Sequence, residues 1–142
     1  MNRINPKALI VGTALLLALS ILAGVVLVSL QGLLMAMEGQ SEEQIIQALA
    51  DLAEDDAYLV WSMVLGAFVS VLGGYVAARI ALAYPYFNGL AVGVLGTLVG
   101  FAFWSELPLW FNLAGIVVTP ACCVLGAHLA VLRAGASPGR MG

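Results

Sequence analysis

Between Lys7 and Glu38 the sequence runs without one charged side chain, ALIVGTALLLALSILAGVVLVSLQGLLMAM. A stretch of this length has one low-energy environment, the hydrocarbon of a bilayer. An unpaired backbone amide is so costly there that the segment must be helical. It is about twice as long as a signal-peptide core and has no early small-x-small cleavage pattern, so it reads as a retained membrane helix. Composition extends the conclusion: hydrophobic residues make up 63% of the 142 and charged residues 9%, whereas soluble domains are about half apolar and a quarter charged. The expectation is a single membrane domain over residues 1–142.

Four apolar segments, 8–37, 58–83, 87–104 and 107–132, approach the length of about 20 helical residues that crosses a bilayer. The expected fold is therefore all-α and polytopic: four transmembrane helices in an antiparallel bundle. The third segment is the shortest and contains GLAVGVLGTLVG. Only AYPYFN separates it from the second, with Pro85 as the break, so these two helices form a tight hairpin.

Charge placement fixes the expected orientation. The bases Arg3, Lys7, Arg79, Arg133 and Arg140 fall on the N-terminus, the second-to-third turn and the C-terminal tail. The acids Glu38, Glu42, Glu43, Asp51, Glu54, Asp55, Asp56 and Glu106 fall on the other two connections. Four crossings put the two sets on opposite faces, and the positive-inside rule then leaves both termini in the cytoplasm. Three or five crossings would put bases on both sides. Trp61, Trp104 and Trp110 at one level, with Tyr84, Tyr86 and Phe87 at the other, fit the aromatic belts of two headgroup layers. Arg79 stands just before the turn, where a long side chain reaches the headgroups; it is read first as a boundary signal and second as a contact for an anionic lipid or a partner.

The connection EGQSEEQIIQALADLAEDDAY is the one polar piece of any size. Ser41 with Gln44 forms a capping-box pattern, and Ile45, Ile46, Leu49, Leu52 and Ala53 recur at helical spacing, giving an amphipathic helix over 42–54. Acids gain nothing from anionic lipid, so this helix is expected to dock on the protein or a partner. Glu54, Asp55 and Asp56 are consecutive and lack the spaced, glycine-bearing loop of a calcium site; they read as a solvated acidic face.

Small residues at every fourth position mark helix-packing faces in lipid. The second helix offers Gly66, Ser70, Gly74 and Ala78, the third Gly89 with Gly93 and Gly96 with Gly100, the fourth Gly115, Thr119, Cys123 and Ala127. Polar groups within the helices are sparse, among them Asn112, Thr97 and His128; His128 lies about one turn from Arg133 and is, with Arg79 and Arg133, a candidate lipid or partner contact. Pro120 is expected to bend the fourth helix and free a carbonyl near its middle. Neighbouring Cys122 and Cys123 would form a strained bond and read as apolar fillers. With one histidine, one lysine, no phosphate-binding loop and no expected midplane acid, the sequence gives no catalytic constellation, no metal set and no cofactor site, and points to a non-enzymatic protein without a nucleic-acid partner.

The segments LGGYVAARIA and ELPLWFNLAGIVVTPACCVLGAHLA resemble small four-helix bacterial inner-membrane proteins of unassigned role, in which a GGYxAARIA-like helix end precedes a short turn and a later helix carries a threonine-proline step. The resemblance covers the last three helices and implies a bacterial inner-membrane location, without an activity. The expected function is assembly, with itself or as an accessory subunit of a larger membrane complex. The alternatives are a small oligomeric channel or carrier for ions or small solutes, and an accessory protein binding inner-leaflet lipid.

Overall fold

Helix starts in this chain are written by short polar and proline signals. Asn5 caps the first helix, its side-chain oxygen accepting from the Lys7 and Ala8 backbone amides, and Pro6 supplies a first residue that needs no N–H partner. The computed structural model describes residues 4–81, 83–102 and 107–135. In it, α1 spans Pro6–Met37. It stops where Gly39 takes a positive φ of 82° and the amides of Glu38, Gly39 and Gln40 turn back onto carbonyls of the last turn. The capping box at Ser41 and Gln44 starts α2, Glu42–Ala50.

The amphipathic helix expected over 42–54 is shorter than that: α2 gives way to a 3-10 segment, Asp51–Glu54. Asp55 then accepts from the amides of Ala57 and Tyr58 and caps α3, Asp56–Ala81. Asp55 thus has a structural duty beyond keeping an acidic face wet. Pro85 begins α4, Pro85–Gly100, and α5, Leu109–Gly135, contains Pro120 without interruption.

Three helices, α1, α3 and α5, are long and apolar enough to cross a membrane. The expected third span, 87–104, differs. Pro85 starts the helix two residues early and α4 ends at Gly100, so its 16 residues rise about 24 Å against a hydrocarbon core of about 30 Å. Of the residues singled out from the sequence, Arg3, Trp104, Glu106 and Arg140 lie outside the described ones.

Consecutive long helices run antiparallel. Gly12 of α1 faces Gly73 and Ala77 of α3, Gly93 of α4 faces Pro120 of α5, and α3 and α5 run parallel through Gly74 and Cys123. The start of α1, the α3–α4 turn and the end of α5 meet at one end, where the Asn5 amide donates to Asn88 Oδ1 (2.8 Å) and the Tyr86 hydroxyl bonds His128 Nδ1 (2.9 Å). The 42–54 segment lies at the other end.

Backbone contact, rather than side-chain interdigitation, joins the helices at the first of these ends. A Cβ on Gly74 would fall on the Cys123 carbonyl, and one on Gly126 would fall on the Val71 carbonyl. Gly93 would meet Pro120 Cα at 2.5 Å, and Gly12 would meet Ala77 Cβ and Val92 Cγ2 at 2.9 Å. The core that results is small: Leu16, Val69, Ala77, Val92 and Cys123, with Ala78, Ala127 and Ala130 beside it.

Substitution at these glycines should therefore depend sharply on position. Gly126→Ala is expected to destabilise by about 1–3 kcal/mol, because a methyl group cannot share space with a backbone carbonyl. Gly24→Ala, with nothing within 4 Å of the added carbon, should be neutral. Thermal unfolding of both variants in the same detergent checks the contrast.

Candidate functional site

Two regions collect the polar and small residues that could serve a ligand or partner: the end where the start of α1, the α3–α4 turn and the end of α5 meet, and a cleft toward the other end.

At the first, Asn88 is the pivotal residue. It is completely buried. Its oxygen accepts the Asn5 amide, while its Nδ2 donates to the Tyr84 carbonyl at 3.0 Å. Tyr84 itself sits at φ 52°, a left-handed conformation rare for a tyrosine, and the Phe87 and Asn88 amides also bond its carbonyl. One amide side chain thus ties the beginning of α1 to a strained turn. Neither Asn5 nor Asn88 stands out from hydropathy or charge; the available signal was an Asn three residues after Pro85, at a helix start where side chains bond the backbone.

The three residues proposed as lipid or partner contacts from the sequence, Arg79, Arg133 and His128, are all exposed near this end. The Arg133 guanidinium lies 5.8 Å from the centre of the Tyr75 ring, within cation–π range. Arg79 follows Tyr75 by one turn of α3, and His128 is held by Tyr86. No acid among the described residues belongs to this end, since Glu38 to Asp56 lie beyond the far ends of α1 and α3. The arrangement offers cations backed by aromatic rings.

The small-residue ladders split into two groups. Gly74, Ala78, Gly89, Gly93, Cys123 and Ala127 lie at tight helix contacts or in the buried core. Ser70 is also buried, and its hydroxyl donates to the Gly66 carbonyl at 2.7 Å. Gly66, Gly100 and Gly115 behave differently: an added Cβ would meet nothing within 4 Å. Together with Gly96 and Thr119 they line a half-open cleft of about 190 Å³ between α3, α4 and α5. Gly96 faces Leu16 of α1 and Thr119 of α5. Gly12, Gly73 and Gly126 also face neighbouring helices closely but are absent from the fourfold ladders: Gly73 sits beside Gly74, Gly126 three residues from Cys123, and Gly12 is on α1, which shows no ladder.

Four polar side chains line the cleft, Ser62, Thr97, Asn112 and Thr119, and two of them bond their own chain about one turn away. Thr97 Oγ1 donates to the Gly93 carbonyl and Asn112 Nδ2 to the Leu107 carbonyl, each at 3.0 Å. No charged residue lines the cleft. Elsewhere, on α1, Thr13 Oγ1 is buried without a partner, a feature the structure does not explain. No three His, Cys, Asp or Glu side chains converge among the described residues.

No family model matches the chain, and no curated protein or solved structure does either.

Removing the Asn88 amide should leave the Asn5 N–H unpaired and release the turn. Asn88→Ala is expected to cost about 1–3 kcal/mol, the penalty for a stranded buried polar group. Amide hydrogen exchange checks it, with protection expected to fall first at the start of α1.

Proposed function

We propose that this chain is a non-enzymatic component of a membrane assembly: a four-span protein of the bacterial inner membrane with both termini cytoplasmic, binding a second copy or a larger complex. The observation that carries the reading is the behaviour of α1. Beyond Leu16 none of its residues is buried, although the helix continues as apolar sequence to Met37. Small residues at Ser20 and Gly24 stand one turn apart on this unpacked half, and Gly24 meets nothing. In lipid such a face permits close approach of another helix. The α2 segment supports the same end: Leu49 and Ile45 lie against the position of Gly32, leaving Ile46 exposed.

Four crossings are supported by a point of direction. Because α3 and α5 run parallel, a chain that crosses in both must return between them, and α4 is the segment that returns. Its shortfall of a few ångströms is tolerable through local thinning or tilt of its neighbours, at a fraction of a kcal/mol per ångström. Lys7, Arg79 and Arg133 at one end and the acids at the other support the orientation.

Contact with anionic headgroups is a second reading, favoured by the aromatic-backed Arg133 beside Arg79. A channel or carrier is less well supported, because no charged residue lines the cleft that would coordinate an ion or a polar solute.

The test is affinity purification of the full chain at its native level, with a photo-crosslinking side chain at Ile21, exposed on α1 one turn from Gly24. One stoichiometric partner, or a second copy, joined at that position is the expected result. Gly24→Leu should remove it. A monomer that crosslinks only to lipid would overturn the assembly reading.

A further inference from the structure

The cleft between α3, α4 and α5 has a chemistry that selects its occupant. We propose that it is a binding site for one hydrocarbon chain, the distal part of a lipid acyl chain. The proposal rests on the membrane location and not on the assembly reading.

Four observations lead there. First, the lining carries no charge, and of its four polar side chains, Ser62, Thr97, Asn112 and Thr119, the Thr97 hydroxyl and the Asn112 amide already bond nearby backbone carbonyls. The hydroxyls of Ser62 and Thr119 are too few to repay the lost hydration of a strongly polar ligand, and a water molecule needs two to four polar partners to settle in a cavity. Second, the size suits a chain. At about 190 Å³ the cleft exceeds the roughly 150 Å³ that suffices for a benzene-sized apolar guest. It cannot admit a helix of about 10 Å diameter, which excludes a second copy or a partner helix.

Third, the surroundings at this level are apolar. Val60, Val64, Phe68, Leu98, Leu113 and Val117 are exposed on the same stretches of α3, α4 and α5, so the medium that bathes them is hydrocarbon. A half-open cleft in such a medium fills with that medium. Fourth, the glycines here have no packing reason to be glycine. Gly66, Gly100 and Gly115 meet no neighbouring atom, unlike Gly74, Gly93 and Gly126. Their missing side chains leave backbone walls, against which a flexible chain gains dispersion contacts along its length.

Full-length protein is reconstituted in phosphatidylcholine vesicles containing a phosphatidylcholine with a diazirine near the end of one acyl chain, then illuminated and mapped by peptide mass spectrometry. The expected result is labelling concentrated on the cleft segments of α3 and α5, reduced at least several-fold by Gly115→Leu or Gly66→Leu. Both side chains project into open space, and retained thermal midpoints confirm folding. Labelling of α1 should survive in both variants. A headgroup-free diazirine alkane serves as the second arm: labelling by it alone, and not by the lipid, would overturn the acyl-chain assignment in favour of a free apolar solute. Labelling spread evenly over the apolar faces and indifferent to the leucine variants would overturn the site. Absence of label on α1 as well would overturn the membrane location on which the proposal rests.

Discussion

Where α3 crosses α5, no side chain stands between the two backbones. Gly74 and Gly126 are reciprocal: each lacks the carbon that would collide with a carbonyl of the opposite helix, so both helices close to the limit that their main chains allow. In hydrocarbon, lipid tails are as apolar as any core, and burial of apolar surface supplies no net pull between helices. Close van der Waals contact has to supply it instead. The contacts of α4 through Gly89 and Gly93, and of α1 through Gly12, are built on this crossing.

One tight end has a consequence at the other. Away from the contacts at Gly74, Gly93 and Gly126, the glycines Gly66, Gly100 and Gly115 have no neighbour to meet. The cleft of about 190 Å³ and the unpacked half of α1 lie on this side of the close contacts. Under the proposed function these are the surfaces available to lipid and to other helices, while the pinned end holds the chain together.

Polar groups are used sparingly, and apart from Thr13 several of those within the helices are placed where they satisfy the backbone. Asn88 joins the start of α1 to the α3–α4 turn, Asp55 and Asn5 cap helices, and Ser70 and Thr97 bond carbonyls one turn back. A buried amide with its donors and acceptors filled is tolerable in an apolar interior, whereas an unfilled one costs several times more than it contributes. Every described charged side chain is exposed, at or beyond a helix end or near one.

How much of this was legible follows from whether an interaction is local. Caps and breaks were readable at Ser41, Gln44 and Pro85 because each acts within one turn of chain. Three spans were readable from unbroken apolar length, but α4 ended at Gly100, four residues before the expected boundary, where the backbone tightens into 3-10 geometry that hydropathy does not mark. The ladders named Gly74 and Gly93 together with Gly66, Gly100 and Gly115, since spacing treats all small residues alike. It could not separate a glycine that touches a backbone from one that faces a void. Asn88 was hidden for the same reason: its partner lies 83 residues away in the chain. The sequence by itself determined the helical, membrane-associated character and the sorting of charge along the chain, because both follow from transfer of residues between water and hydrocarbon. Only the tertiary structure decided which glycines pin and which open, because that depends on where two helices cross.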